Sequence, residues 1–184
     1  NQTLHSLARD CLVSIKKRRQ RRSKLTPDRR QKAAARRKLR EVIRPVSFDK
    51  VASREVGHRV VRRELEWQHR ILRFDHSWRI PVTEFTSGRS RGVEIIVGDP
   101  GRKRMQQHVE SALAGGRRAL AADLFDSGEC ACDSRLSMVL ASTGERALGI
   151  QVGQLNALID WARRRFRCAD VHLTAVGSVL PVVG

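Results

Sequence analysis

Four cysteines and six histidines are the side chains of this sequence that could provide the sulfur and nitrogen ligands of a zinc ion. Cys130 and Cys132 are separated by one residue, which fits poorly with the roughly two- to four-residue gaps of paired zinc ligands. Other possible ligands are scattered along the chain, at His108, Cys168 and His172. Cysteines so far apart also do not indicate a disulfide framework in a chain of this length. We predict no metal ion and no cofactor, and we interpret the thiols as small, half-buried side chains of loops.

The basic residues of the sequence are concentrated near its N-terminus. The net charge of the 184 residues is +18, and residues 16–40 hold 14 of the 37 Lys and Arg but one of the 19 acids. The other 159 residues carry 23 basic and 18 acidic side chains, a net charge of +5. A segment so basic could neutralise several phosphates of a nucleic acid without reading its sequence. The candidate residues for this contact are Lys16, Lys17, Arg18, Arg19, Arg21, Arg22, Arg36 and Arg37.

The same basic segment has a plainer interpretation as a solvated helical surface. It contains no aromatic residue on which a base could stack, and its arginines could equally cover an exposed helix face. Apolar residues at helical spacing predict one helix over about residues 4–15. Thr26 and Pro27 predict the start of a second helix, which ends near Ile43 because Pro45 cannot continue it. We predict a basic helical arm over residues 1–45 and a separate domain over residues 46–184.

The predicted domain alternates between strand and helix patterns. The segments RELEWQHRILRF and SWRIPVTEF alternate apolar and polar residues, which predicts an antiparallel hairpin. The run from Val93 to Val97 is typical of a short strand buried on both faces of a parallel sheet. The other predicted elements are helices over about 102–113 and 150–166, strands over 119–124 and 171–176, and a loop over 125–148. This order predicts a mixed α/β sheet whose parallel strands are joined by right-handed crossovers.

Four of these segments, taken in order, resemble a known family. They are the hairpin with RIPVTEF, the strand with VEIIVGDPGRK, the strand with LAADLFDSGE and the helix with LGIQVGQLNALIDWARRRF. Over about residues 54–184 they resemble the N-terminal half of bacterial α/β-hydrolases, in particular acetyl-xylan-esterase-like and dienelactone-hydrolase-like members. The most specific piece, Asp123 to Glu129, is similar to the family's D-x-R-G-x-G-E turn but lacks its arginine and its first glycine. The resemblance implies a partial α/β-hydrolase sheet that is truncated at the nucleophile elbow and preceded by the helical arm.

The resemblance also implies an oxyanion hole at the carboxyl ends of the parallel strands, where ligands gather in such sheets. In such hydrolases, backbone N–H groups stabilise the negative charge that develops on the substrate. One of these donors would come from the loop after the strand Val93–Val97, which contains Gly98, Asp99 and Gly101. An ordinary strand-to-helix turn is the alternative interpretation of the same glycines.

The nucleophile of this family would stand in a G-x-S-x-G elbow after the last strand, where small residues permit a tight turn. From residue 175 the chain reads AVGSVLP, which departs from that pattern. With Gly177 as the first glycine, the nucleophile position falls on Val179, which has no nucleophilic atom. With Ser178 as the nucleophile, Val176 and Leu180 occupy the positions that require small side chains. Ser178 is therefore a weak candidate, and we expect no normal elbow.

These observations favour one function and leave an alternative open. By resemblance, the chain is the N-terminal part of a carboxylic-ester hydrolase of the acetyl-esterase type, whose substrate would be a small ester once a C-terminal half completed it. In this family's chain order the acid and the histidine follow the elbow, and the sequence supplies neither, so we expect it to be inactive as given. The alternative is a protein that binds nucleic acid or another polyanion through its arm. No stretch predicts a membrane span, and the sequence determines neither compartment nor oligomeric state.

Overall fold

The computed structural model describes residues 29–75 and 78–177, and the chain divides into two compact units, residues 1–42 and 43–184. The first described element is helix α1, Arg29–Ile43, which is exposed over residues 30–42. This exposure follows from its composition, because seven of its 15 residues are Lys or Arg. The predicted helix end near Ile43 is confirmed, whereas the helix over residues 4–15 and the start at Thr26 lie outside the described residues. The division at residue 45 stays a prediction.

The described part of the chain contains one mixed sheet. Its strands are β1 Val51–Arg62, β2 Leu65–Phe74, β3 Trp78–Ser87, β4 Val93–Gly98, β5 Arg118–Ala122 and β6 Val171–Val176. Their order across the sheet is β1-β2-β3-β5-β4-β6. Pairing is antiparallel between β1 and β2, between β2 and β3 and between β3 and β5, whereas β4 pairs parallel with both β5 and β6. The predicted partial α/β-hydrolase sheet, antiparallel first and parallel afterwards, is confirmed.

Three helices connect the parallel strands in the described residues. They are α2 Gln106–Ala114 between β4 and β5, and α3 Ser134–Ser142 and α4 Ala147–Phe166 between β5 and β6. The predicted helix over 102–113 begins later than expected, because Arg102–Arg104 form a separate 3-10 turn. Gly101, which has a positive φ, directly precedes that turn. The predicted helix over 150–166 and the strand over 171–176 are confirmed as α4 and β6.

Helices pack on both faces of the parallel part of the sheet. Leu155 and Leu158 of α4 belong to a buried cluster with Ile95 and Leu120 from the central strands. On the opposite face, Val109 and Ala112 of α2 pack in a second cluster with Ile96, Ala119 and Ala121. All six residues of β4 are buried, which is why its sequence shows no alternation. The core therefore fixes the parallel strands, and with them the loops at their carboxyl ends.

Two elements contradict the expectations from sequence. The predicted hairpin is a three-stranded meander, because β1 precedes the two expected strands. Eleven of the 12 residues of β1 are exposed, so neither face gives an alternating pattern, and a bulge between Val56 and Val60 interrupts its register. The predicted loop over 125–148 contains α3, which begins where the Asp133 side chain accepts a hydrogen bond from the N–H of Arg135.

Candidate functional site

The loop after β4 begins at residue 99 and continues to residue 103 at the carboxyl ends of the parallel strands. At its centre, Gly101 has a φ of +81°, and a Cβ atom added there would lie 2.5 Å from Cα of Gly128. A side chain at Gly101 would prevent this approach. Gly128 lies in the turn after β5, so the loops that follow two neighbouring parallel strands are in contact.

A buried carboxylate holds the two loops together. Asp123 directly follows β5 and is 1% exposed. Its Oδ1 accepts a hydrogen bond from the backbone N–H of Arg102 at 2.5 Å, and its Oδ2 accepts one from Nη1 of Arg102 at 2.5 Å. Oδ2 also accepts from the N–H of Glu129 at 3.1 Å. This single carboxylate therefore fixes both the backbone of the β4 loop and the end of the β5 turn.

The Arg102 guanidinium extends this contact. Its Nη2 donates to Oε2 of Glu129 at 2.7 Å, and its Nε donates to Oγ1 of Thr83 at 3.3 Å. Lys103 Nζ also lies 2.6 Å from Oε1 of Glu129. The hydrogen bonds from Lys103 and Arg102 hold the pKa of Glu129 below its usual value. The site is thus a closed set of ion pairs around the loop, with its charges largely matched.

The turn from residue 123 to residue 129 shows how the chain accommodates its departures from D-x-R-G-x-G-E. Asp126 stands at the first glycine of that pattern, and its φ of +57° is the left-handed conformation that glycine adopts most readily. Phe125 stands at the arginine; it is buried, and its N–H donates to Oε1 of Gln154 at 2.7 Å. The guanidinium at this turn comes from Arg102 instead, a substitution that spacing along the sequence did not reveal.

The carboxyl end of β6 lies beside the loop after β4. The N–H of Asp99 donates to the carbonyl of Val176 at 3.3 Å, and a Cβ atom added to Gly177 would collide with the Asp99 carboxylate. The structure therefore brings the predicted oxyanion loop next to the residue that precedes the predicted elbow. Ser178 and Val179 themselves lie outside the described residues.

Most N–H groups of the loop already have acceptors within the protein. The N–H of Gly101 donates to the carbonyl of Gly98 at 3.0 Å, and those of Asp99 and Arg102 are engaged as described above. Pro100 has no N–H. Lys103 differs from these positions, because no acceptor for its N–H is present among the described residues. An N–H without an internal acceptor is what a developing oxyanion requires.

The two neighbouring thiols of the β5 turn are not suited to nucleophilic chemistry at neutral pH. Burial, assisted by the nearby Asp123 carboxylate, raises the pKa of Cys130 to about 11. Burial also raises the pKa of Cys132. Both thiols therefore remain protonated, and a protonated thiol is a poor nucleophile and metal ligand. Within residues 29–75 and 78–177, no group of three or more His, Cys, Asp or Glu could hold a metal ion.

A G-x-S-x-G pattern that the sequence analysis missed lies in the loop between β3 and β4, as Gly88-Arg89-Ser90-Arg91-Gly92. The pattern alone would have found it, but its place in the fold excludes an elbow. A nucleophile elbow joins the end of a strand to the start of a helix, whereas this loop precedes β4 and leads into a strand. This loop lies at the amino ends of the parallel strands, whereas the loop of Gly101 lies at their carboxyl ends.

The predicted basic residues fall mostly outside the described part of the chain. Lys16, Lys17, Arg18, Arg19, Arg21 and Arg22 all lie there. Arg36 and Arg37 are described as exposed residues of α1, and Nε of Arg37 lies 3.9 Å from Oε1 of Glu41. No helix in the described residues is long and apolar enough to cross a membrane.

The mixed sheet, the helices on both of its faces and the meeting of loops at the carboxyl ends of parallel strands define a partial α/β-hydrolase-like fold. Solved structures with a similar fold are esterases. No family model matches the chain, and no curated protein matches it by sequence. The fold is therefore the property that these comparisons establish.

Three solved structures illustrate the similarity. A candidate acetyl xylan esterase from Bacteroides fragilis has a TM-score of 0.65 and 14% identity, over 80% of this chain and 46% of its own. The methylesterase BT1017 has a TM-score of 0.56 and 17% identity, over 85% of this chain and 38% of its own. An acetyl xylan esterase from Paenibacillus sp. R4 has a TM-score of 0.52 and 11% identity, over 68% and 45%. The chain thus spans less than half the length of these esterases.

Proposed function

We propose that residues 46–184 are the part of an acetyl-esterase-like carboxylic-ester hydrolase that carries the oxyanion loop, and that the chain does not turn over esters by itself. The observation that carries this proposal is the loop after β4, fixed by Asp123 and adjacent to Gly177 at the end of β6. The esterase folds of the similar structures support the reaction class. A small ester as substrate and completion by a C-terminal half are parts of this proposal.

The oxyanion donor in this proposal is the N–H of Lys103. The sequence suggested the positions of Gly98, Asp99 and Gly101, and these residues shape the loop. The Asp99 and Gly101 N–H groups are engaged inside the protein, whereas that of Lys103 is not. The Lys103 side chain itself pairs with the Glu129 carboxylate, its Nζ lying 2.6 Å from Oε1 of Glu129.

The inactivity of the chain in this proposal follows from its elbow positions. Val179 has no nucleophilic atom, and Ser178 is flanked at the critical positions by two branched side chains, Val176 and Leu180. We expect hydrolysis of p-nitrophenyl acetate by the purified chain to equal that of its Ser178→Ala variant. Turnover that disappears in Ser178→Ala would contradict the proposed inactivity.

A restored nucleophile tests the oxyanion loop directly. We expect Val179→Ser, incubated with p-nitrophenyl acetate and imidazole as an external base, to be acetylated at residue 179, because the loop would stabilise the oxyanion. The matched control is Val139→Ser, at an exposed position of α3 that lies away from the loop. Mass spectrometry of the peptides should show acetylation at least about tenfold faster at residue 179, since one oxyanion donor contributes about 10²–10³-fold. Equal rates would contradict the role of the loop.

A second candidate function is polyanion binding by the arm, which the composition of α1 favours. Helix α1 carries Arg and Lys around its exposed surface and has no acid in its first turn. We expect Arg36→Gln/Arg37→Gln to weaken binding to random duplex DNA and to reduce its salt dependence, because each arginine removed leaves one phosphate contact fewer. Electrophoretic mobility at moderate salt measures both effects. Unchanged affinity would remove α1 from the contact.

A further inference from the structure

We infer that the folded domain has a binding site for an oligophosphate group at the amino ends of its parallel strands, away from the proposed ester site. A cleft of about 540 Å³ lies there between the loop from β3 to β4 and the loop from α4 to β6. Its charged lining consists of four arginines and one acid: Arg89, Arg91, Arg118, Arg167 and Asp170. The volume is sufficient for a chain of two or three phosphates with part of the molecule that carries them.

Three of these arginines are not neutralised by the protein. Arg89, Arg91 and Arg167 are exposed and make no ion pair within the described residues. Arg118, at the start of β5, pairs with Glu84 and lies 4.5 Å from the ring centre of Phe166. These two contacts fix the Arg118 side chain in the lining of the cleft. The other three arginines line the cleft from its two loops.

A neighbouring cleft shows what this protein does with arginines that have only a structural role. The cleft of about 240 Å³ on the other side of Arg118 contains Arg70 and Arg59. Arg70 pairs with Glu84 at 2.7 Å and with Glu55 at 2.8 Å, and Arg59 pairs with Glu66. Arg70 and Arg59 are thus matched with carboxylates at close range, whereas Arg165 in the same cleft lies 5.9 Å from the ring centre of Phe166. Arg89, Arg91 and Arg167 of the larger cleft have no carboxylate partner within the described residues.

The chemistry of the lining favours phosphates. Guanidinium groups donate paired hydrogen bonds to phosphate oxygens, and several of them converging on one cleft suit adjacent phosphates better than a single carboxylate. Ser90 lies between Arg89 and Arg91 in the same loop and lines the cleft, so its hydroxyl adds an uncharged donor. The G-R-S-R-G segment, which cannot be an elbow, thus has a role as one wall of an anion site.

The test uses inorganic tripolyphosphate as the probe and isothermal titration calorimetry of the full chain at low salt. The cleft variant is Arg89→Gln/Arg91→Gln/Arg167→Gln, which changes exposed side chains and leaves Arg118 and its ion pair in place. A matched control removes the same charge from another group of unpaired arginines, which line a smaller cleft on the antiparallel strands. It is Arg54→Gln/Arg73→Gln/Arg79→Gln.

We expect the cleft variant to lose at least about tenfold in affinity for tripolyphosphate, and the control Arg54→Gln/Arg73→Gln/Arg79→Gln to remain within about twofold. Equal losses in the cleft variant and the control would show that net charge, not the cleft, binds the probe, and would overturn the proposal. Absence of binding by the unchanged protein would also overturn it. A parallel titration with a single-stranded oligonucleotide separates the two sources of phosphate. If the protein binds the oligonucleotide but does not bind tripolyphosphate, the proposed site for a small ligand is overturned. Ester chemistry enters none of these outcomes, so they are independent of the proposed esterase function.

Discussion

The two ends of the parallel strands use arginine in opposite ways. At the carboxyl ends, Arg102 is 11% exposed and its guanidinium is matched by Asp123 and Glu129. At the amino ends, Arg89, Arg91 and Arg167 are exposed and have no such partners among the described residues. A matched, buried arginine fixes the position of a loop, whereas an unmatched, exposed one remains available to a ligand. The surroundings of a guanidinium, and not its residue type, therefore indicate its role.

The largest expected effect concerns the buried ion pair at the carboxyl ends. We expect Asp123→Asn to lower the free energy of unfolding by about 3 kcal/mol, because it leaves the Arg102 guanidinium without its buried counter-charge. The matched change at the amino ends is Asp170→Asn, which removes an exposed carboxylate and should cost no more than about 0.5 kcal/mol. Guanidinium chloride unfolding of both variants measures the two values. Equal losses would show that the two ends do not differ in this respect.

Two glycines, one at each end of the parallel strands, allow the packing of the two ends to be compared. We expect Gly128→Ala to lower the free energy of unfolding by about 2 kcal/mol, because the new Cβ atom would lie 2.5 Å from Cγ of Asp123 and the residue has a φ of +53°. Gly88 at the other end has a similar φ of +61°, but a Cβ atom there meets nothing within 4 Å. Gly88→Ala should therefore cost only about 1 kcal/mol, from backbone strain alone. Thermal unfolding of both variants measures the difference, and equal costs would remove the close approach as its cause.

The pH dependence of the ion pair at Glu129 is a smaller effect. The pKa of Glu129 is lowered in the folded protein from a value of 4.5, so its stabilising contribution is present above pH 4.5 and is lost as the pH falls through the lowered pKa. We expect Glu129→Gln to cost at most about 1 kcal/mol at pH 7 and nothing at low pH. Glu110→Gln is the control, since Glu110 accepts from a neutral amide, Gln106. A cost for Glu129→Gln that does not change between pH 7 and pH 3 would exclude the charge as its origin.

The smallest effect concerns the reactivity of a thiol beside the ion pair. We expect iodoacetamide to modify Cys130 at pH 8 more slowly in the folded protein than in urea, because its pKa of about 11 keeps it protonated. Its rate should rise as the pH increases from about 9 to 11. The Cys132→Ser variant places a single cysteine in the peptide that mass spectrometry follows. A folded rate equal to the rate in urea at pH 8 would show that burial does not protect this thiol.

Elements with a strong local signal were predicted correctly from the sequence. The β4 segment is almost wholly apolar and short, and α4 has an apolar stripe over 20 residues, so each pattern identified its element. The strand β1 and the helix α3 were missed because their apolar residues, such as Val61 and Val139, remain exposed and follow no single face. A local apolar pattern indicates which residues of an element are buried, and few residues of β1 and α3 are buried.

The loop after β4 could be recognised from the sequence, but its contacts could not. The glycines after β4 marked the loop, because tight turns require them. The pairing of Arg102 with Asp123 joins residues 21 positions apart, and no spacing in the sequence indicates it. The same holds for the cleft of the amino ends, where Arg89 and Arg167 come together only through the parallel pairing of β4 with β6. Contacts of this kind depend on the register of strands that are distant along the chain.

The position of β4 in the sheet also affects the order in which the nascent chain can fold during translation. The meander of β1, β2 and β3 is complete once residue 87 has emerged, since each of its strands pairs with the next along the chain. One side of β4 must wait for β5, and the other for β6, whose last residue is Val176. At typical synthesis rates of about 5–20 residues per second, the interval between the end of β4 and the end of β6 lasts several seconds. The strand that is buried at every position is therefore the one that a nascent chain leaves unprotected longest, and it is there that a chaperone would have the most to shield.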